Sequence, residues 1–549
     1  MPSFRNKSTI IQFLTKHQFL VFSFLIFVIS SFVYSLHLSP SLYYDDWGQF
    51  ANNFYHQKFP WFIPGFIRPL TFATYRFQTE IFGMNLQAIM IFRVFLLATH
   101  CWLFFVIFEK LSLFNSIFNF LCSLLIIFSP VDMTRMWVLL DPIMLICIQL
   151  YTICLIQYLK NHSLYLLALG ILLGYGSLLY YEIQLGLLLS IPIILFIIEW
   201  KQTKNKNWWY LLPLFLGFSY VLFRLMESYL GYTSFHEAQH ISVRYIVRQF
   251  LNGIICYFQG WSLPLQRDYS IRVAVITTIS VVVLIFVFVF FRKGIEKEID
   301  NANKRNLIII SAGGFFWLAG YFPFIIYGIP SYIHWFSSRA HNTSIPGFSI
   351  GLIAFCMFLG SLSPIKKNIL SALAVIPFLI IGIMSQIAIQ KEAKYLWNEY
   401  QSLWNGVFRE IPDFVDNTHV VFVISPYRNE LRYGEREFFT SASYNTELSK
   451  AIDMFYANQT IEAEFLYKDV EETDTPTLHE NGIRNPPTYS GTIPYSEIIF
   501  IEFDRNNQKV KIIEDLEEEF GIINSLYNAE KHILRSPVRE KTLRYIIAQ

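Results

Sequence analysis

The chain is short of charge. Asp, Glu, Lys and Arg make up only 15% of its 549 residues, against about 25% in an ordinary soluble protein. That excludes a water-soluble fold over the whole length. Cysteine is scarce too: Cys101, Cys122, Cys147, Cys154, Cys256 and Cys356 all lie in apolar runs. None is spaced as C-x-x-C and no disulfide framework emerges, so all six read as small buried hydrophobes. The chain has no internal repeat and no low-complexity tract. Its last third has no Gly-rich phosphate loop, no nucleophile triad and no metal cluster.

What is present is apolar surface. Hydrophobic residues make up 54% of the chain and aromatics 18%, and many runs reach the ~20 residues a helix needs to cross a bilayer. The expected fold is a polytopic α-helical membrane protein with about 11 spans, followed by a soluble α/β domain. The spans are read at 18–38, 86–108, 113–129, 137–159, 163–180, 183–199, 208–225, 271–291, 307–327, 346–362 and 369–389. The first run has a basic start (Arg5, Lys7, Lys16) but is longer than a signal core and has no A-x-A site. It reads as an uncleaved anchor.

Charge is split between the two parts. Residues 391–549 hold 17 Lys+Arg and 27 Asp+Glu, a net of −10, so the total of 43 and 41 leaves 26 and 14, a net of +12, for residues 1–390. A basic membrane part with an acidic tail argues against a nucleic-acid partner. The cations gather in short loops: Lys110, Lys160, Lys201 to Lys206, Arg292 to Arg305, and Lys366-Lys367. The positive-inside rule then makes the N-terminus cytoplasmic. The longer loops 39–85, 226–270 and 328–345 face outward, and an odd number of spans leaves the tail extracytoplasmic. The expected division is 1–389 membrane domain and 390–549 extracytoplasmic domain, in a multi-pass protein of the plasma membrane.

In the tail, 391–410 has helical period, with Tyr395, Leu396, Tyr400, Leu403 and Val407 on one stripe. Strands are expected at 420–424, 462–467 and 497–503, a helix near 440–456, and a loop over 470–495. Glu517-Glu518-Glu519 reads as a solvated helix face.

On this topology, polar residues at the outer span ends share one surface. Asp45 and Asp46 follow span 1, Arg68 precedes span 2, Asp132 and Arg135 follow span 3, and Asp141 is slightly deeper. Glu182 lies between spans 5 and 6; His334, Arg339 and His341 lie between spans 9 and 10. Each alone reads as a charge anchoring a helix end. The Asp45-Asp46 doublet does not, because adjacent like charges cost energy and anchor nothing. Such a doublet suits a general base or a cation ligand, and arginines suit a phosphate leaving group.

Several stretches in order resemble the GT-C membrane glycosyltransferases, and among them the bacterial relatives of the protein O-mannosyltransferase family. They are Tyr44-Asp45-Asp46-Trp47, Arg68-Pro69-Leu70, Ile81 to Asn85, Ser129-Pro130-Val131-Asp132 with Asp141, Tyr181-Glu182, and Ser338-Arg339-Ala340 before Pro346-Gly347. The resemblance covers about residues 18–390. It implies an inverting transfer of a sugar from a polyprenyl-phosphate donor to a glycan, lipid or protein acceptor. Asp45 or Asp46 would be the base or would help hold a divalent metal, Mg²⁺ or Mn²⁺. Arg68 or Arg339 would hold the phosphate, Glu182 would orient the acceptor or a cation, and Asp132 and Asp141 would support the site.

Two other readings stay open. One is a transporter or flippase of lipid-linked sugars. The other is an intramembrane zinc protease, because His236-Glu237-Ala238-Gln239-His240 spells H-E-x-x-H, and Ser234 with Glu237 can start a helix there. Against the protease, the only acid between His240 and Glu296 is Asp268, and a zinc site needs a third ligand. The blander reading of this segment is an interfacial helix start running into Arg244-Tyr245-Ile246-Val247-Arg248.

Overall fold

The computed structural model describes residues 17–36, 70–132, 140–180, 184–203, 208–229, 243–262, 302–326, 341–362, 367–424, 443–458, 460–467, 477–484 and 492–536. Its helices are α1 (Gln18–Ser35), α2 (Thr71–Phe82), α3 (Leu86–Leu111), α4 (Ser116–Ile127), α5 (Leu140–Asn161), α6 (Leu164–Tyr180), α7 (Leu185–Thr203), α8 (Leu212–Tyr229), α9 (Val243–Ser262), α10 (Ala302–Ile326), α11 (Ile345–Ser361), α12 (Lys367–Glu410), α13 (Ser443–Tyr456) and α14 (Leu516–Phe520). Every expected span falls on one of these helices except 271–291, which lies outside the described residues. Among the described residues, five helices are long and apolar enough to cross a membrane: Gln18–Ser35, Leu86–Leu111, Pro142–Asn161, Asn303–Pro323 and Ile369–Glu410. The chain is a multi-pass membrane protein with a C-terminal mixed α/β region.

The described residues form two units. One holds 17–36, 70–71 and 91–391; the other holds 72–90 and 392–536.

In the first unit, contacts sort the helix ends. At one end, the Lys160 ammonium donates to Lys110 O at 3.4 Å, and the Arg305 guanidinium donates to the carbonyls of Ser112 and Leu113. The α3–α4 turn there is locked by Glu109, which accepts from Asn119 at 2.7 Å and Ser116 at 3.0 Å. Asn115 caps α4 by accepting from Phe118 N, which is why that helix starts where it does. This end thus gathers the cations Lys110, Lys160 and Arg305.

At the opposite end, the Tyr34 hydroxyl in the last turn of α1 donates to Ile127 O at 2.6 Å, and its ring stacks on Phe128. Gln390 of α12 donates to Val33 O at 3.1 Å. Leu70 N donates to Leu179 O at the end of α6. Helices α10 and α11 approach almost backbone to backbone: a Cβ on Gly320 would lie 2.6 Å from Ser344 N, and one on Gly347 would strike Trp317 N. Close approach through small residues is how helices associate where no hydrophobic effect drives them together.

The second unit is built on a four-stranded sheet of order β3 (Glu462–Tyr467), β2 (His419–Ile424), β7 (Ile498–Asp504) and β8 (Lys509–Ile512). The first three are parallel and β8 is antiparallel. β2 is buried along its whole length, and β7 for all but its last residues, as near-continuous apolar runs in a covered parallel sheet should be. Helix α13 connects β2 to β3. On one face Trp404 of α12 meets Phe422 and Phe455. On the other, Val421, Val423, Ile498 and Phe500 pack with Ile483, Ile493, Tyr495 and Leu516. Asp413–Phe414 and Ile533–Leu534 form a small two-stranded pair.

Two expectations change. Residues 470–495 are not all loop, because Thr477–His479, Gly482–Arg484 and Thr492–Ile493 form a three-stranded sheet. Of the expected stripe on the tail helix, Tyr400, Leu403 and Val407 are buried, joined by Trp397 and Trp404, while Tyr395 is exposed. Its phase is set where the Trp404 indole packs on Phe422 of the sheet.

Candidate functional site

The polar end of the first unit is made by segments remote in sequence. Asp132 follows α4 and is completely buried. Just before it, Ser129 O accepts from the Gln386 amide at 2.8 Å, and Gly382 lets α12 pass close beneath the Phe128 carbonyl. The α11 start docks on α10: Thr343 Oγ1 donates to Gly320 O at 2.8 Å, and His341 Nδ1 is 2.7 Å from the Tyr321 hydroxyl. That hydroxyl also lies 3.2 Å from Gly253 O. A phenol carries one proton, so donating it to Gly253 makes His341 Nδ1–H the donor in the shorter bond. The start of α7 meets α10 at the neighbouring residue, because Gly186 sits against the Ala319 carbonyl.

Two side-chain amides here are orphans. Gln184, just before α7, is 0% exposed and Asn342, just before α11, is 1% exposed. Among the described residues neither amide has a hydrogen-bond partner. A buried polar group without a partner is costly, more so in a membrane setting. Both orphans precede helix starts that meet on Ala319–Gly320 of α10. In sequence, Gln184 lies two residues after Glu182 and Asn342 three after Arg339. Amides in such a place can orient a polar ligand.

Among the proposed site residues, Asp132 is in this assembly and Asp141 falls in the first turn of α5. His341, noted at the same span end, pairs with Tyr321. Asp45, Asp46, Arg68, Arg135, Glu182, His334 and Arg339 lie outside the described residues, as do His236, Glu237 and His240 of the H-E-x-x-H string. The expected metal ligands Asp45 and Asp46 are thus not among the described residues. Among the described residues no cluster of three or more His, Cys, Asp or Glu could hold a metal.

One residue was missed by sequence reasoning. Arg93 lies two turns inside α3 and is 1% exposed. A turn or two further along, His100 Nδ1 is 3.1 Å from Gln149 Oε1, and the Gln149 amide donates to His100 O at 2.8 Å. The signal was a lone cation inside an apolar run, which a hydropathy window averages away. An ionisable group at such depth is a functional candidate by default.

The chain matches no protein-family model and no curated protein.

Proposed function

We propose that this chain is a membrane glycosyltransferase of the GT-C type, moving a sugar from a polyprenyl-phosphate donor to an extracytoplasmic acceptor. Its N-terminus is cytoplasmic and its C-terminal unit extracytoplasmic. The acceptor hydroxyl gives its proton to Asp45 or Asp46, and its oxygen attacks the anomeric carbon with inversion. The bond from that carbon to the phosphate oxygen breaks, and Arg68 or Arg339 stabilises the charge left on the polyprenyl phosphate. Glu182 orients the acceptor, with Asp132 and Asp141 in support.

One observation carries this reading. The cations Lys110, Lys160 and Arg305 meet at one end of the membrane unit, while Asp132, His341, Gln184 and Asn342 are buried at the other. Segregation of that kind suits a one-sided reaction on a lipid-linked substrate. The second reading, a flippase of lipid-linked sugars, draws on Arg93 and the His100–Gln149 pair inside the bundle.

Purified protein in liposomes, given labelled polyprenyl-phosphate sugars and cell-envelope acceptors, separates the two. Label reaching the acceptor supports the transferase. Donor crossing the bilayer unchanged, with no transfer, overturns it.

A further inference from the structure

Helix α9 was expected only as an interfacial helix start running into Arg244–Arg248, and its faces divide three ways. Successive residues turn by about 100°, so its side chains can be sorted around the axis. Val243, Val247, Leu251, Ile255 and Phe258 form one stripe centred at about 60°. All five are large apolar residues, between 51% and 78% exposed. Gly253, Tyr257, Gly260 and Trp261 are buried and centre near 300°. Arg248, Asn252, Gln259 and Gln249 centre near 180°, with Arg244 between them and the apolar stripe.

The buried face shows how the helix runs. Gly253 backs onto Tyr321 of α10, and Tyr257 packs on Phe348 of α11 with ring centroids 4.5 Å apart. Gly260 sits on Val131 after α4, and Trp261 meets Phe378 of α12 at 5.6 Å. Nine residues of α9, Gly253 to Trp261 and about 12 Å of helix, thus meet α10, α11, the end of α4 and α12 in turn. Tyr321 lies five residues from the polar end of α10, Tyr257 and Phe258 also meet Trp317 one turn deeper, and Phe378 lies midway along the apolar part of α12. Helix α9 therefore packs down α10 from the polar end, and Arg244 and Arg248, in its first two turns, stand beyond these contacts.

A helix with one face on protein, one exposed and apolar, and one polar belongs where protein, acyl chains and water meet. Arg244 and Arg248 are both exposed and sit one turn apart beside the apolar stripe. Neither makes an ion pair among the described residues. With the stripe in acyl chains, the two guanidinium groups stand at headgroup depth, where their partners are lipid phosphates. We propose that Arg244 and Arg248, in the first two turns of α9, bind anionic phospholipid at the polar end of the membrane unit. This stands apart from the sugar-transfer reading, because it rests on the faces of α9 alone.

The test uses the full-length protein in nanodiscs of equimolar phosphatidylcholine and phosphatidylglycerol, with retained lipids counted by native mass spectrometry after extraction. Wild type should keep phosphatidylglycerol in preference. The Arg244→Gln/Arg248→Gln variant should lose about 30-fold of that preference, from about tenfold for each 1.4 kcal/mol and about 1 kcal/mol per cation. Arg244→Lys/Arg248→Lys should keep most of it, which also guards against a folding defect in the Gln variant. A Gln variant with wild-type preference overturns the proposal, and so does a Lys variant that loses as much as the Gln variant. Displacement of phosphatidylglycerol by stoichiometric polyprenyl phosphate would assign the arginines to the donor lipid and overturn the phospholipid assignment.

Discussion

Replacing Asn342 with leucine should make the protein more stable. The side chain is 1% exposed, and among the described residues neither its carbonyl oxygen nor its amide nitrogen has a partner. Its neighbours are satisfied: His341 pairs with Tyr321 at 2.7 Å, and Thr343 donates to Gly320 O at 2.8 Å. An unpaired buried amide costs about 1–3 kcal/mol, and an apolar group of similar shape removes that cost. If about 300 residues melt together, the gain raises Tm by about 2–5 °C. The assay is thermal unfolding of wild type and Asn342→Leu in the same detergent. Thr343→Val is the internal contrast and should lose about 1 kcal/mol, because it strips a made bond from the same turn. If the orphan amide serves a polar substrate, Asn342→Leu will gain stability while losing transfer activity, a trade common at binding sites. A leucine variant less stable than wild type refutes the argument, since it would mean that the amide is already paired.

The Arg505 guanidinium donates to the Glu399 carboxylate at 2.7 Å, and both side chains are buried. Arg505→Met in the full chain should cost about 3–5 kcal/mol, while Glu399→Met/Arg505→Met should recover most of it; urea melts followed by limited proteolysis of the C-terminal unit would show this. Burial holds the His532 imidazole below its ordinary pKa, so its charged form is disfavoured in the fold. The sign follows: above the unfolded value of about 6.5 both states are neutral and nothing is lost. As pH falls through that value the unfolded chain takes up the proton first, and stability drops until the lower folded value is reached. Urea melts from pH 8 to pH 5 should show this decline in wild type and a shallower one in His532→Gln; parallel curves would rule His532 out as a source.

Much of the fold could be read from apolar runs, for definite reasons. Segments such as Leu86–Leu111 and Pro142–Asn161 are long, apolar and uninterrupted, so length and hydropathy settle them. Strands β2 and β7 were legible because both are buried on two faces and read as short continuous apolar runs. Helix α9 was legible only at its start, because Arg244, Arg248, Asn252 and Gln259 dilute any hydropathy window while its apolar stripe takes up only one face. The strands at Thr477–His479 and Gly482–Arg484 are too short for any period to register. The site divides the same way. Asp132 and His341 were found as charges at span ends. The Tyr321–His341 bond, the meeting of Gly186 with Ala319 and the orphan amides arise from contacts between distant segments, which no local pattern encodes. Arg93 was overlooked because one cation in a long apolar run hardly moves its average.

The account turns on the acidic doublet after the first span acting as a base in sugar transfer. Asp45→Asn and Asp46→Asn should each leave expression and thermal stability unchanged in membranes carrying the full chain. With labelled polyprenyl-phosphate sugar as donor, at least one of them should abolish label transfer to acceptor, whereas two variants with wild-type transfer would contradict the account.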